Sequence, residues 1–297
     1  MTRLLKLCAS LALILACLSV EAAEIRLGVT APRGALEVIK QWGPLGQYLE
    51  QQIGSKVTLI PLTPTDSAPA VASGKVDYIF TNPVLTVVLN KKYGATPLAT
   101  LKRKTGTQFG GVILAKKGSG IRKGSDLKGK KVMGFQFRKS AAAYVFQVKQ
   151  LMDEGIDPNK DFASFTEAKK QDDIVLAVRA GLMDAGFVKS GLLEAMAKEG
   201  KIKLDEFEIV DQKNDGYMHV HSTILYPEWY VNASSAADQA TSEKVKAALL
   251  KIMPNDTVAV SGRCQGFVPP LSLDDLDATM KALKLGPYDV CSVAGNP

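Results

Sequence analysis

Two stretches of this chain share one pattern: Gly74-Lys75-Val76-Asp77-Tyr78-Ile79-Phe80-Thr81-Asn82-Pro83 and Gly181-Leu182-Met183-Asp184-Ala185-Gly186-Phe187-Val188-Lys189-Ser190-Gly191. In each, a glycine ends a helix, a buried strand follows, and polar residues form the tip. Ligands of open α/β sheets bind beyond the carboxyl ends of the strands. The pattern therefore predicts two similar lobes facing one cleft, although G-x-x-D before an apolar strand is also an ordinary helix-to-strand turn.

Strands and helices alternate along the remaining sequence, which predicts α/β lobes with parallel sheets. We assign residues 23–104 and 217–297 to lobe 1 and residues 105–216 to lobe 2, with crossovers near 101–108 and 214–220 that allow hinge bending. The predicted strands are 25–30, 57–62, 76–80, 111–115, 131–135, 162–165 and 185–188, followed by a β-rich segment at 219–230. The predicted helices are 36–52, 140–154, 172–180, 191–198, 236–252 and 273–285.

The first 22 residues are typical of a secretory signal peptide. Arg3 and Lys6 precede an apolar run over 7–18, and Val20-Glu21-Ala22 offers a small-residue cleavage site. No later stretch approaches the ~20 apolar residues needed to span a bilayer, so no transmembrane segment is expected in the mature chain. We expect an exported protein, either free or tethered by lipid at Cys17.

The formal net charge of +7 suits an anionic ligand. Much of the basic excess falls in 102–104 and 116–131, which are typical of solvated loop surface. These charges have no interleaved aromatic residues and no helix-turn-helix or finger spacing, so nucleic acid is not an expected partner.

Removal of the signal peptide leaves Cys264 and Cys291. Two cysteines in an oxidising compartment favour one disulfide, which would hold the C-terminal tail to the body of the protein. A thiol pair that binds a soft ion or arsenite is the alternative, but no third soft ligand is evident.

Several further segments carry a family resemblance: Trp42-Gly43-Pro44-Leu45 with Tyr48-Leu49-Glu50, Asp77 to Pro83 with Tyr93-Gly94, Phe109-Gly110-Gly111, Asp184 to Gly191 with Leu193-Glu194, His221-Ser222-Thr223-Ile224-Leu225-Tyr226-Pro227-Glu228-Trp229, Gly266-Phe267-Val268-Pro269-Pro270 and Leu285-Gly286-Pro287-Tyr288. Together they resemble periplasmic solute-binding proteins of the phosphate, phosphite and phosphonate type, and among these the sensor modules of tetrathionate-sensor-like histidine kinases. The resemblance implies a type II, transferrin-like periplasmic-binding-protein fold with ligand between two lobes. It also implies a membrane partner, either an ABC permease or a sensor kinase.

One segment departs from the family pattern. Phosphonate binders of this type have Ser-Thr-Ser-Gly-Tyr at the start of a lobe 2 helix, where this chain has Ser140-Ala141-Ala142-Ala143-Tyr144. Two hydroxyl donors are missing. The ligand is then expected to be an oxyanion held mainly by backbone amides, phosphate-like or a sulfur oxyanion, with phosphonate itself in doubt.

The start of that helix is the first candidate site. The first-turn amides, those of Ala141 and Ala142 among them, lack intrahelical partners and lie at the positive end of the helix dipole, where an anion binds well. Ser140 either donates to the ligand or merely caps its own helix. Arg138 and Lys139 flank the site and either neutralise charge or are solvated.

The two strand tips supply the other candidates. Thr81 and Asn82 precede Pro83, so their side chains can cap the next helix, donate to a ligand, or do both. Lys189 and Ser190 occupy the matching tip of lobe 2. Lys189 is the strongest single anion anchor that the sequence offers. The sensor relatives favour Arg at this position, which would offer a bidentate fork instead of a point charge.

His219 and His221 alternate by two and share one face of a predicted strand. Zinc needs three or four ligands, and no third has suitable spacing, so structural hydrogen bonding or a ligand-facing His221 is favoured over a metal site. Ser222 and Thr223 could add donors. Trp42, Tyr78, Phe135 and Tyr144 either wall the cleft or belong to the core.

An enzyme is the competing class. The chain has no G-x-S-x-G elbow, no Walker A loop and no H-E-x-x-H, and its two histidines leave few candidates for catalysis. We therefore expect a monomeric binding protein without catalytic residues or cofactor, which delivers a small oxyanion to an ABC transporter or presents it to a histidine kinase.

Overall fold

The computed structural model describes residues 24–289. Its strands are β1 (Ile25–Thr30), β2 (Val57–Leu62), β3 (Tyr78–Thr81), β4 (Thr96–Lys102), β5 (Gln108–Phe109), β6 (Gly111–Lys116), β7 (Lys131–Phe135), β8 (Ser164–Ala168), β9 (Ala185–Lys189), β10 (Phe207–Ile209), β11 (Tyr226–Pro227), β12 (Tyr230–Ala233) and β13 (Gly266–Val268). Its helices are α1 (Ala35–Ile53), α2 (Ser67–Ala72), α3 (Pro83–Tyr93), α4 (Phe146–Asp153), α5 (Pro158–Asp161), α6 (Gln171–Arg179), α7 (Leu192–Lys198), α8 (Gln239–Leu250), α9 (Thr257–Gly262) and α10 (Asp274–Ala282).

Six strands form the sheet of lobe 1, in the order β13-β4-β12-β3-β1-β2. β1 is parallel to β2 and β3, as the βαβ order requires. The expectation of a wholly parallel sheet is wrong, because β12 enters from lobe 2 and pairs antiparallel with β3 and β4. β13 adds a further antiparallel pair at the edge.

Five strands form the sheet of lobe 2, in the order β10-β6-β9-β7-β8. β7 is parallel to β8 and β9, whereas β6 is antiparallel to β9 and to β10. This sheet is therefore mixed as well. The carboxyl end of β9, which carries Lys189, pairs with Gly111 at the start of β6.

A two-stranded ribbon joins the lobes. Phe109 pairs with Tyr226 and Gln108 with Pro227, so β5 and β11 carry the two crossovers side by side. The second crossover was expected near 214–220, but Ser222 still hydrogen-bonds to β6 of lobe 2, from its N–H to the Gly111 carbonyl at 2.8 Å. The lobe boundary at residue 217 remains a prediction.

Each lobe has its own aromatic core. In lobe 1, Phe80 makes edge contacts with Trp42, Trp229 and Phe267 at centroid distances of 4.7, 5.5 and 5.8 Å. In lobe 2, Tyr144 stacks on Phe165 at 5.7 Å. The aromatic residues that could have walled the cleft are all buried in these cores: Trp42, Tyr78, Phe135 and Tyr144.

Two predicted elements are wrong in part. The helix expected over 140–154 begins instead with a π-helical turn, Ala141–Val145, in which Ala142 and Ala143 have non-helical backbone angles, before α4 continues. The segment 219–225 forms no strand, because its backbone groups bond to the start of β6 and to nearby side chains.

Three predicted features lie outside the described residues: the signal peptide 1–22, the lipid site at Cys17, and Cys291 of the expected disulfide. Within residues 24–289, no helix is both long and apolar enough to cross a membrane.

Candidate ligand-binding cleft

Ion pairs join the two lobes beside the strand tips. Arg33, which follows β1 of lobe 1, donates from Nη2 to Asp172 Oδ2 of lobe 2 over 3.0 Å. Lys201 pairs with the same carboxylate at 3.2 Å and with Glu199 at 2.7 Å. The carboxyl ends of the lobe 1 strands and the start of α6 therefore face one another across the cleft.

Lys189 lies deep in this cleft with part of its surface still accessible. Its backbone N–H donates to Gln171 Oε1 at 3.0 Å. Among residues 24–289, its ammonium makes no hydrogen bond and no ion pair within 4.0 Å. Burial, followed by the nearby positive charges of Arg103 and Arg33, lowers the pKa of Lys189 to about 8, against an opposing effect of Glu228.

Arg103 and Glu228 form a second charged element beside Lys189. Arg103 Nε donates to Glu228 Oε1 over 2.8 Å, and the Glu228 side chain is almost fully buried. Assigning Arg103 to solvated loop surface was wrong. No local signal separates it from the exposed Lys102 and Lys104, because its partner is 125 positions away in the sequence.

The π-helical turn offers backbone donors. The N–H groups of Ala141, Ala142 and Ala143 have no acceptor within the described part of the chain, and all three residues are at least 97% buried. Buried amides without partners are rare and favour binding an anion. Ser140 occupies the N-cap position and its carbonyl accepts from Val145 N–H, but within residues 24–289 its hydroxyl makes no capping bond, so its contact with ligand stays a prediction.

Gln147, which sequence reasoning missed, fixes this turn in place. Its Nε2 donates to Ala142 O at 2.8 Å, to Val188 O at 3.1 Å and to Val112 O at 3.2 Å. The turn is thus tied to both β6 and β9. A Cβ at Gly111 would lie only 2.5 Å from this nitrogen, so the glycine leaves room for the amide.

The lobe 1 tip is organised by hydroxyls and a helix cap. Asn82 Oδ1 accepts from Leu85 N–H at 3.0 Å and caps α3, so it takes the capping role that the sequence allowed. Thr81 Oγ1 accepts from Thr30 Oγ1 at 2.8 Å. Ligand contact by Thr81 and Asn82 stays a prediction.

Two other candidates, Ser190 and Ser222, accept bonds from backbone amides at the start of β6, and His221 precedes Ser222 in the chain. Ser190 Oγ accepts from Gly110 N–H and Ser222 Oγ from Ile113 N–H, at 3.1 and 2.9 Å. His221 is 1% exposed, with its Nδ1 2.9 Å from Thr223 O and its Nε2 3.0 Å from Asp215 Oδ1. The structure therefore brings them close to Lys189 in a supporting position, and their contact with ligand stays a prediction.

Three further residues complete the surroundings of the cleft. Tyr217, also missed from sequence, donates from its hydroxyl to Gln108 O at 3.3 Å beside the hinge ribbon. Arg138 is about half exposed and donates from Nη2 to Lys284 O and Asp289 Oδ2 in the C-terminal part of the chain, so its role in neutralising charge at the anion site stays a prediction. His219 Nδ1 lies 3.4 Å from Glu194 Oε1.

Comparison with known sequences identifies one family. The family described as the periplasmic substrate-binding protein of phosphonate ABC transporters matches residues 27–276. The tetrathionate sensor histidine kinase TtrS of Salmonella typhimurium is 31% identical over 229 residues, which cover 75% of this chain and 38% of that protein. The chain thus spans well under half the length of that relative.

Solved structures support the same fold. PhnD1 of Prochlorococcus marinus, in complex with methylphosphonate, aligns with a TM-score of 0.72 at 13% identity over 88% of this chain and 98% of its own. A binding-protein component of a phosphonate ABC transporter from Pseudomonas aeruginosa gives 0.72 at 14% identity over 93% and 91%. The predicted α/β, two-lobed periplasmic-binding-protein fold is confirmed.

Proposed function

The chain belongs to the family of periplasmic substrate-binding proteins of phosphonate ABC transporters, and on this premise we propose that it captures a small oxyanion between its lobes and delivers it to an ABC transporter. The ligand is phosphate- or phosphonate-like, or a sulfur oxyanion. The family implies the periplasm as the place of action.

One observation carries the proposal: among residues 24–289, a deep lysine without an acidic partner lies in the same lobe as three buried amides without acceptors. Lys189 follows directly on Val188, and the Val188 carbonyl shares the Gln147 side chain with Ala142 of the amide turn. Buried charges and buried amides are both costly when unpaired. A bound oxyanion would satisfy the two together.

A thermal-shift panel tests the function. The compounds are phosphate, phosphite, methylphosphonate, thiosulfate, tetrathionate, sulfite and arsenite, with neutral sugars as the comparison. A ligand at a hundredfold excess over its Kd adds about 2.7 kcal/mol of stability, which is readily measured. Stabilisation by sugars alone, with no effect of any anion, would refute the proposal.

The substitution Lys189→Met tests the site, with the anion that stabilises the wild-type protein most in that panel as the ligand. Loss of a charged hydrogen bond of about 1.5–3 kcal/mol corresponds to roughly ten- to a hundredfold weaker binding. Lys116→Met is the matched control. Lys116 is exposed and ends β6, whereas Lys189 pairs with Gly111 at the start of that strand. Equal affinities of the two variants would remove Lys189 from the site.

A second candidate function rests on the similarity to the tetrathionate sensor histidine kinase. In that role the liganded protein presents its closed form to a membrane kinase instead of a permease. Gene neighbourhood separates the two roles: permease and ATPase genes support transport, whereas genes for a kinase and a response regulator support signalling.

A further inference from the structure

We propose that the cleft recognises an oxyanion head group that carries a single negative charge, such as a sulfonate or a singly ionised phosphonate, in preference to a doubly charged group of the same shape. This inference rests on the proposed function and narrows its ligand class. It comes from the pairing of every charged side chain identified around Lys189.

The interlobe ion pairs contribute no net charge to the cleft. Arg33 and Lys201 supply two positive charges, and Asp172 and Glu199 supply two negative ones. Arg33 contacts both carboxylates, at 3.0 and 3.8 Å, and Lys201 does the same at 3.2 and 2.7 Å. This cluster holds the lobes together without attracting an anion.

The second pair is also neutral, and it limits the charge that the site can hold. Arg103 is held by Glu228 at 2.8 Å, and the carboxylate is 3% exposed. Glu228 is close enough to influence Lys189 electrostatically. The same buried carboxylate therefore repels negative charge brought to the Lys189 ammonium.

Lys189 is the one positive charge left over in this set, because Arg33 and Lys201 are matched by Asp172 and Glu199, and Arg103 is matched by Glu228. The amides of Ala141, Ala142 and Ala143 add hydrogen bonds and partial charges but no counter-ion. Lys189 therefore neutralises one negative charge of the ligand. A second negative charge would be buried without a positive partner and close to Glu228, which is unfavourable.

Methanesulfonate and sulfate are the matched probes, because both are tetrahedral and differ mainly in one methyl group and one charge. Isothermal titration of the full chain should show methanesulfonate binding at least about tenfold more tightly, which corresponds to ~1.4 kcal/mol.

The variant Glu228→Gln tests the cause of the preference. It removes the buried negative charge and leaves Arg103 unpaired, so the site gains a second positive charge. Sulfate affinity should rise relative to methanesulfonate by about tenfold or more. In the control Glu208→Gln, whose carboxylate pairs with Lys117 away from the cleft, the ratio should stay at the wild-type value.

Three outcomes are possible. A methanesulfonate preference that Glu228→Gln reduces supports the inference. Sulfate binding as tightly as methanesulfonate in the wild type, or a ratio unchanged by Glu228→Gln, overturns it while anion binding itself stands. If these probes and every anion of the thermal-shift panel fail to bind, the proposed function falls together with the inference.

Discussion

The side-chain amide of Gln147 donates a hydrogen bond to the carbonyl oxygen of Ala142 over 2.8 Å. Alanine has the highest helix propensity of all residues, so a run of three alanines would by itself continue α4 toward its N-terminus. The turn is instead π-helical, and such turns are frequent at functional sites. We infer that Gln147 positions the amides of Ala141 to Ala143 for the ligand.

Gln147→Leu should weaken oxyanion binding by about tenfold or more, because the turn loses its connection to β6 and β9. The three carbonyl oxygens that accept from Gln147 would each lose one hydrogen bond. Calorimetric titration measures the affinity. Gln150→Leu, on the same helix but without a bond to the turn, is the control. Urea unfolding of both variants separates a local change at the turn from general destabilisation. Wild-type affinity in Gln147→Leu would show that the turn holds its shape without this residue.

Lys189 should make stability depend on alkaline pH. Its pKa of about 8 in the folded protein lies below the ordinary value of 10.5, so between these values the unfolded chain binds more protons. The unfolding free energy should therefore rise with pH across that window, on the order of 1 kcal/mol from this group. In Lys189→Met this rise should be absent. Urea unfolding at pH about 7 and about 10 compares the two proteins, and equal pH dependence would contradict the prediction.

Arg33→Gln should lower oxyanion affinity by about two- to fivefold. The Arg33–Asp172 pair joins the two lobes, so we expect it to break when they separate, and partly exposed ion pairs contribute about 0.2–1 kcal/mol. Small-angle scattering should show a larger fraction of open molecules. The control is Lys117→Gln, which removes an ion pair within lobe 2. An equal loss of affinity in both variants would mean that Arg33 acts through general charge instead of closure.

Cys264 and Cys291 are predicted to form a disulfide. Cys264 is 6% exposed, and burial raises the pKa of its thiol. Mass spectrometry of the non-reduced protein should find both sulfurs oxidised. Cys291→Ala should lower the unfolding free energy by roughly 3 kcal/mol, without the packing loss that a change at the buried Cys264 would add. Two free thiols in the native protein would contradict the pairing and favour the soft-ligand alternative.

The sequence predicted the elements whose signal is local. The bounds of β1, β2 and β7 agree to the residue, because each is a short apolar or β-branched run between polar or glycine-rich turns. The π-helical turn was missed because alanines favour an α-helix and only the distant carbonyls bound by Gln147 reveal otherwise. The pairing of Arg33 with Asp172 spans 139 positions, and no local pattern indicates it.

The most direct test is to follow the backbone amides of isotopically labelled protein by NMR while methanesulfonate is added. If the anion is held between the lobes as proposed, the largest shifts will fall on Ala141, Ala142 and Ala143, and Lys189→Met will weaken the apparent affinity. If the amide resonances of this turn do not shift and the largest shifts cluster elsewhere, for example in the surface groove lined by Thr105 and Met218, then the cleft is not the oxyanion site.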